Sequence, residues 1–164
     1  MNYGVINLKR IDEDAQMICE CIGHGLYETA KEMIIETAIA ETGLGQIEDK
    51  TAGAGMGITQ FDKLPFDDIR NRSKRLQPKI LKELKIDISL VEWDDLRYNQ
   101  FLALLFTRLH YWLKGDPIPE TIEERAKYWK LHYNTKAGKG TVEHYLEMNI
   151  CNILIHLLLN LNYL

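Results

Sequence analysis

Glu41 is the residue whose neighbours in sequence most favour acid chemistry. From Tyr27 to Glu41 the chain has no glycine or proline, and apolar residues recur at helical spacing. At about 100° per residue, Glu41 falls on the same side as Tyr27, Ala30, Ile34 and Ala38, and Glu28, Glu32 and Glu36 fall opposite. The pattern predicts three solvated glutamates and a fourth at the end of the buried stripe, with Gly43 as the helix stop. A carboxyl group against apolar walls is desolvated when ionised, so its pKa rises and it keeps its proton near neutral pH. Such a group can protonate the oxygen of a departing group. A glutamate frayed into water at a helix end could not, and helical phase alone does not separate the two cases.

The segment after that helix differs in composition. Gly43, Gly45, Gly53, Gly55 and Gly57 fall within fifteen residues. This density suits turns, a short irregular hairpin and close approach of backbone to a ligand. A phosphate-binding loop is excluded by the lack of a Gly-Lys-Ser/Thr ending and of a preceding buried strand. The segment closes on Met56-Gly-Ile-Thr-Gln-Phe61, too apolar for a flexible surface tip.

Glu41-Thr42 followed by Gly55-Met-Gly-Ile-Thr-Gln60 resembles the Glu-Ser … Gly-Leu-Met-Gln pattern of soluble lytic transglycosylases and goose-type lysozymes. Tyr133-Asn-Thr-Lys-Ala-Gly-Lys-Gly-Thr-Val-Glu-His-Tyr145 resembles the Tyr-Asn-Ala-Gly-Pro-Gly-x-Val segment of the same group. The two blocks occur in the family's order and cover its catalytic half. The chain departs from the pattern in having Thr42 for Ser, a looser Gly-Met-Gly-Ile-Thr-Gln, and two extra residues between Asn134 and the Gly-x-Gly pair.

The resemblance implies a mainly α, lysozyme-like α+β fold with a small irregular Gly-rich hairpin at the active-site cleft. It also implies a peptidoglycan-degrading, phage-endolysin-like enzyme that cleaves the bond between N-acetylmuramic acid and N-acetylglucosamine. In a lytic transglycosylase Glu41 would serve first as acid and then as base, activating the sugar's own 6-hydroxyl to give a 1,6-anhydro product. Gln60, Thr59 and Gly57 would line the cleft, and Tyr133 and Asn134 would contact the glycan. A hydrolytic phage-type lysozyme is the alternative, with Asp49 as second carboxylate (Glu48 and Asp62 are the other candidates) and Thr51 or Thr59 positioning water. A catalytically silent glycan-binding module is a third.

The elements that must position these residues read as follows. Residues 12 to 22 predict a short helix from an acidic cap at Asp12 or Asp14, broken by Gly23 and Gly25. Asp62 to Leu84 has helical pattern interrupted at Pro65 and Pro78. Ile86 to Val91 alternates like a strand, but without a partner strand it reads as a loop or helix entry. Glu92 to Lys114 predicts a second long helix, apolar nearly all round at Phe101 to Phe106 and ended by Gly115-Asp-Pro117. Arg108, His110, Tyr111 and Trp112 near its end read as core packing before sugar stacking. Thr121-Ile-Glu-Glu124 reads as a capping box for a helix through Trp129 to about Tyr133, and Thr141 as the cap of the next. The apolar run Ile150 to Leu164 is too short to span a bilayer and reads as a buried terminal helix, with membrane contact or an oligomer contact the lesser alternatives.

The length of 164 residues, 46% hydrophobic and 27% charged, fits one soluble domain over residues 1–164. A net charge of −4 offers no electrostatic case for nucleic acid, and Arg70 to Arg75 reads as a solvated helix face. Cys19, Cys21 and Cys151 are irregularly spaced and the five histidines form no ligand pattern, so no metal or other cofactor is expected, and a reduced cytosolic origin is. Met1 to Asp14 is polar, unlike a secretory signal. The expectation is therefore synthesis in the cytoplasm and action at the cell wall after release, through phage lysis or tail or secretion delivery.

Overall fold

The computed structural model describes residues 8–47, 55–134 and 138–161, and it is mainly helical. Helix α1 (Leu8–Ile22) begins before the expected acidic cap. Asp14 lies inside it, buried, and accepts a hydrogen bond from Gln100 Nε2 at 2.6 Å, so its carboxylate is directed at a neighbouring helix and not at its own N-terminus. Helix α2 (Ala30–Thr42) ends at Gly43, whose N–H returns to Ile39 O at 2.8 Å. Ala30, Ile34 and Ala38 are fully buried, as their phase predicts, but Met33 and Thr37 are too, so α2 is covered on more than one side. Tyr27, expected on the stripe, lies before the helix and is 49% exposed.

Neither proline interrupts a helix. Pro65 and Pro78 sit in the first turns of α3 (Lys63–Arg72) and α4 (Gln77–Leu84), where the missing N–H has no intrahelical partner to lose. A 3₁₀ turn, Ser73–Arg75, joins the two, and residues 86–91 form turn and loop. The long helix expected from Glu92 is instead divided at Asn99 into a 3₁₀ helix (Trp93–Tyr98) and α5 (Gln100–Trp112). Asn99 is extended and its Oδ1 accepts the Leu102 N–H at 3.1 Å, the competition with helix continuation for which asparagine side chains are suited. Helix α6 (Ile122–Trp129) starts at Thr121, whose Oγ1 accepts the Glu124 N–H, and runs into a π turn at Lys130–Asn134. Helix α7 (Val142–Leu161) starts at Thr141, whose Oγ1 accepts the His144 N–H at 3.1 Å. The expected packing of the terminal apolar run falls largely on side chains outside the described residues; Ile150 at its start is exposed.

Helix α5 is the hub. Leu104, Leu105, Phe106 and Leu109 are fully buried against α1, α2 and α3. Phe106 stacks on Phe66 at 4.6 Å and meets Phe61 edge-on at 6.2 Å. Arg108 donates to Gly23 O from Nε (3.1 Å) and Nη2 (2.8 Å), placing a cation at the C-terminal end of α1. Thr37 donates to Met33 O at 2.8 Å, which leaves the Tyr111 hydroxyl as donor in its 2.8 Å contact with Thr37 and ties α2 to α5. Glu36, expected in water, is instead paired with Arg125 of α6 through Nε (2.7 Å) and Nη2 (2.6 Å) and also accepts from the Tyr145 hydroxyl of α7 at 2.8 Å. The three helices α2, α6 and α7 are thus locked together one turn before Glu41.

Candidate active site

The lock aligns α6 so that Trp129 reaches the end of α2. Trp129 is 1% exposed, its ring lies 5.2 Å from that of Tyr145, and its Nε1–H donates to Glu41 Oε1 at 3.0 Å. Burial pushes the Glu41 pKa up to about 8; the Trp129 hydrogen bond opposes this, and the neighbouring Asp62 charge adds to it. At neutral pH the carboxyl is therefore mostly protonated. It lines a cavity of about 280 Å³ together with Gln60, Asp62, Tyr133, Asn134 and His110. Burial also holds the Asp62 carboxyl above its ordinary range.

One wall is a tight turn. Met56 and Phe61 form an antiparallel bridge (N–H to O distances of 3.0 and 2.9 Å), the β pairing seen among the described residues. Thr42, next to Glu41, donates to Ile58 O at 2.7 Å and accepts from Gly45 N–H at 2.9 Å, which fastens the turn to the end of α2. Gln60 has φ +47°, an uncommon backbone state for a residue with a side chain. Its Nε2 donates to Gly57 O at 3.1 Å, and its buried Oε1 accepts no hydrogen bond from the described residues.

Sequence expectation puts Gly57 and Thr59 on the cleft wall; the structure places both one layer behind it. Gly57 adopts φ +72° and abuts Leu96 O so closely that a Cβ would collide with that carbonyl. The Thr59 side chain is fully buried, and its contribution is a main-chain carbonyl that accepts the Tyr133 hydroxyl at 2.7 Å. That bond draws the π turn toward the Gly-rich turn and sets the Tyr133 ring into the cavity beside Phe61 and His110, with centroids at 5.8 and 5.4 Å. His110 donates Nε2–H to His132 O (2.8 Å), and burial lowers its pKa to about 4, so it is a neutral imidazole in the wall. Asp49, Glu48 and Thr51 lie outside the described residues. Asp62 is the carboxylate placed in the cavity with Glu41.

A second cavity of about 330 Å³ shares Glu41 and Asn134 with the first; Ala40, Trp129, Lys139, Gly140 and His144 complete it. Glu41 and Asn134 are thus walls of both cavities. Asn134 is held at their junction: Lys130 Nζ donates to its Oδ1 (2.7 Å) and to Gly138 O (2.9 Å). Gly140 packs on the Trp129 indole, and a Cβ there would need the ring to move. Reading the sequence for motifs missed Trp129 and His110 as site residues. The one local signal was the spacing of Trp129 and Tyr133, a helical turn apart, which places both on one face. Among the described residues no group of three or more His, Cys, Asp or Glu side chains is arranged to hold a metal ion. Comparison of the chain with family models, curated proteins and solved structures gave no match.

Proposed function

We propose that the protein cleaves the glycosidic bond between N-acetylmuramic acid and N-acetylglucosamine in peptidoglycan, as a lytic transglycosylase of lysozyme-like α+β type with Glu41 as general acid and base. The observation that carries this reading is the Glu41 carboxyl, which lines two cavities, accepts the Trp129 indole N–H and is held in its protonated form by burial. A glycan that occupies both cavities puts a bridging oxygen next to a proton that the site retains at neutral pH. Protonation of that oxygen by Glu41 breaks its bond to C1 and develops oxocarbenium character on the sugar. The Glu41 carboxylate then takes the proton from the sugar's 6-hydroxyl as that oxygen bonds C1, which closes the 1,6-anhydro ring and restores the acid. Gln60 supports the reading as a polar residue on the cavity wall that Tyr133 and Asn134 complete. The resemblance of Glu41-Thr42, Gly55 to Gln60 and Tyr133-Asn134 to the transglycosylase pattern points the same way.

A second reading, hydrolysis with inclusion of water, is favoured by Asp62, which shares the cavity and raises the Glu41 pKa. Digestion of purified peptidoglycan by the wild type and Glu41→Gln, with mass spectrometry of the released muropeptides, tests both. Anhydro ends released by the wild type alone are expected. Reducing ends would move the assignment to a hydrolase, and equal release by Glu41→Gln would remove Glu41 from the mechanism. No release by either protein would leave a glycan-binding module without enzymatic activity.

A further inference from the structure

The two cavities that share Glu41 differ in charge. Asp62 belongs to the first cavity, and Lys139 and His144 belong to the second. Lys139 is exposed and makes no hydrogen bond or ion pair with another described residue. His144 donates Nε2–H to Ala40 O at 2.9 Å, which fixes its ring beside the residue that precedes Glu41. Glu143, the nearest acid in sequence, is engaged by the Thr141 hydroxyl and by its own backbone N–H at the start of α7. Lys130 directs its ammonium at two neutral oxygens, Asn134 Oδ1 and Gly138 O, and so adds its positive charge beside Asn134. The ammonium of Lys139, without an ion-pair partner among the described residues, is therefore a local positive feature on a chain whose net charge is −4.

Resting on the peptidoglycan reading, we infer that the Lys139/His144 cavity receives the acidic peptide stem of the glycan strand, with stem carboxylates paired to Lys139. Repulsion from Asp62 disfavours the opposite placement, so the charge difference sets the direction in which a peptide-bearing strand lies across Glu41. An exposed lysine pairs with such a carboxylate in a salt-dependent way. Its contribution is thus to orientation and selectivity more than to total affinity.

The test uses full-length Glu41→Gln, which retains the two cavities without turnover, and soluble glycan fragments whose stem carboxylates are either free or amidated. Binding of the free-acid fragment should be about fivefold tighter at low salt, the factor expected of one exposed ion pair. Adding Lys139→Glu should abolish or reverse that preference, and Lys139→Gln should give an intermediate value; position 139 is exposed, and matching circular dichroism spectra check the fold. Equal affinity for the two fragments in Glu41→Gln overturns the inference. So does a Lys139→Glu loss that is the same for both. If neither fragment binds and wild-type protein releases nothing from peptidoglycan, the glycan reading fails first and this inference with it.

Discussion

Ionising Glu41 puts a negative charge in a largely desolvated place, next to the partly buried Asp62 carboxyl and with the Trp129 N–H as its stabilising contact among the described residues. Activity that requires the protonated form should fall through a basic limb near pH 8. Replacing Asp62 by Asn should move that limb down, because the Asp62 charge raises the Glu41 pKa; replacing Trp129 by Phe should move it up, because the indole hydrogen bond lowers it. Opposite displacements in the pH profile of kcat/KM check the pair. Glu41→Gln should lower kcat by roughly 10²- to 10⁴-fold, the usual worth of a general acid–base group. The same pKa has a consequence for stability. The native state holds a proton that the unfolded chain releases above its ordinary value of 4.5, so raising the pH from about 4.5 to about 8 favours unfolding. Thermal melts of wild type should lose stability across that window, and Glu41→Gln should lose less.

At the scale of elements, the site depends on contacts that bring one turn and two helices to the end of α2. Gly57 admits the turn against Leu96 O at a positive φ, so Gly57→Ala combines backbone strain with a collision. A loss of about 1–3 kcal/mol from strain alone is expected in urea unfolding, with the collision adding to it. The Glu36–Arg125 pair has side chains only 12% and 8% exposed, and removing one partner strands the other charge. Arg125→Ala should cost about 3–5 kcal/mol by the same measurement. Because Arg125 and Trp129 share α6, activity should also fall, while Tyr133→Phe, which removes the donor to Thr59 O, should be milder at about 1–3 kcal/mol.

For the whole molecule, the decisive feature is that α5 collects α1, α2 and α3 into one buried cluster while α7 packs on α2 and α6, and the Tyr128 ring of α6 meets Tyr111 of α5. Trp129 and Tyr145 belong to that cluster as much as Phe106 and Leu109 do. Unfolding should therefore follow one transition, and the midpoints from far-ultraviolet circular dichroism and tryptophan fluorescence should coincide in urea. Separate midpoints would mean that the α6–α7 side, and the Glu41 cavities with it, melts independently of the α5 hub.

Local chemistry in the sequence marked much of this arrangement. Gly43 ends α2, Thr121 and Thr141 start α6 and α7, and the run from Leu102 to Phe106 is buried, because each depends on side chains within a turn or two of itself. The break at Asn99 and the accommodation of Pro65 and Pro78 depend on which backbone donors are already unpaired, a choice that several competing local patterns leave open. Phase along α2 correctly buried Ala30, Ile34 and Ala38 but put Glu36 in water, since periodicity describes one helix and not the helices that cover it. Trp129 lies 88 residues from Glu41, and Tyr133 lies 74 from the Thr59 carbonyl. Residue types and spacing nominated the acid; only the packing of α6 on α2 supplied its hydrogen-bond donor and its desolvation, because both are properties of surfaces that meet after the chain has folded.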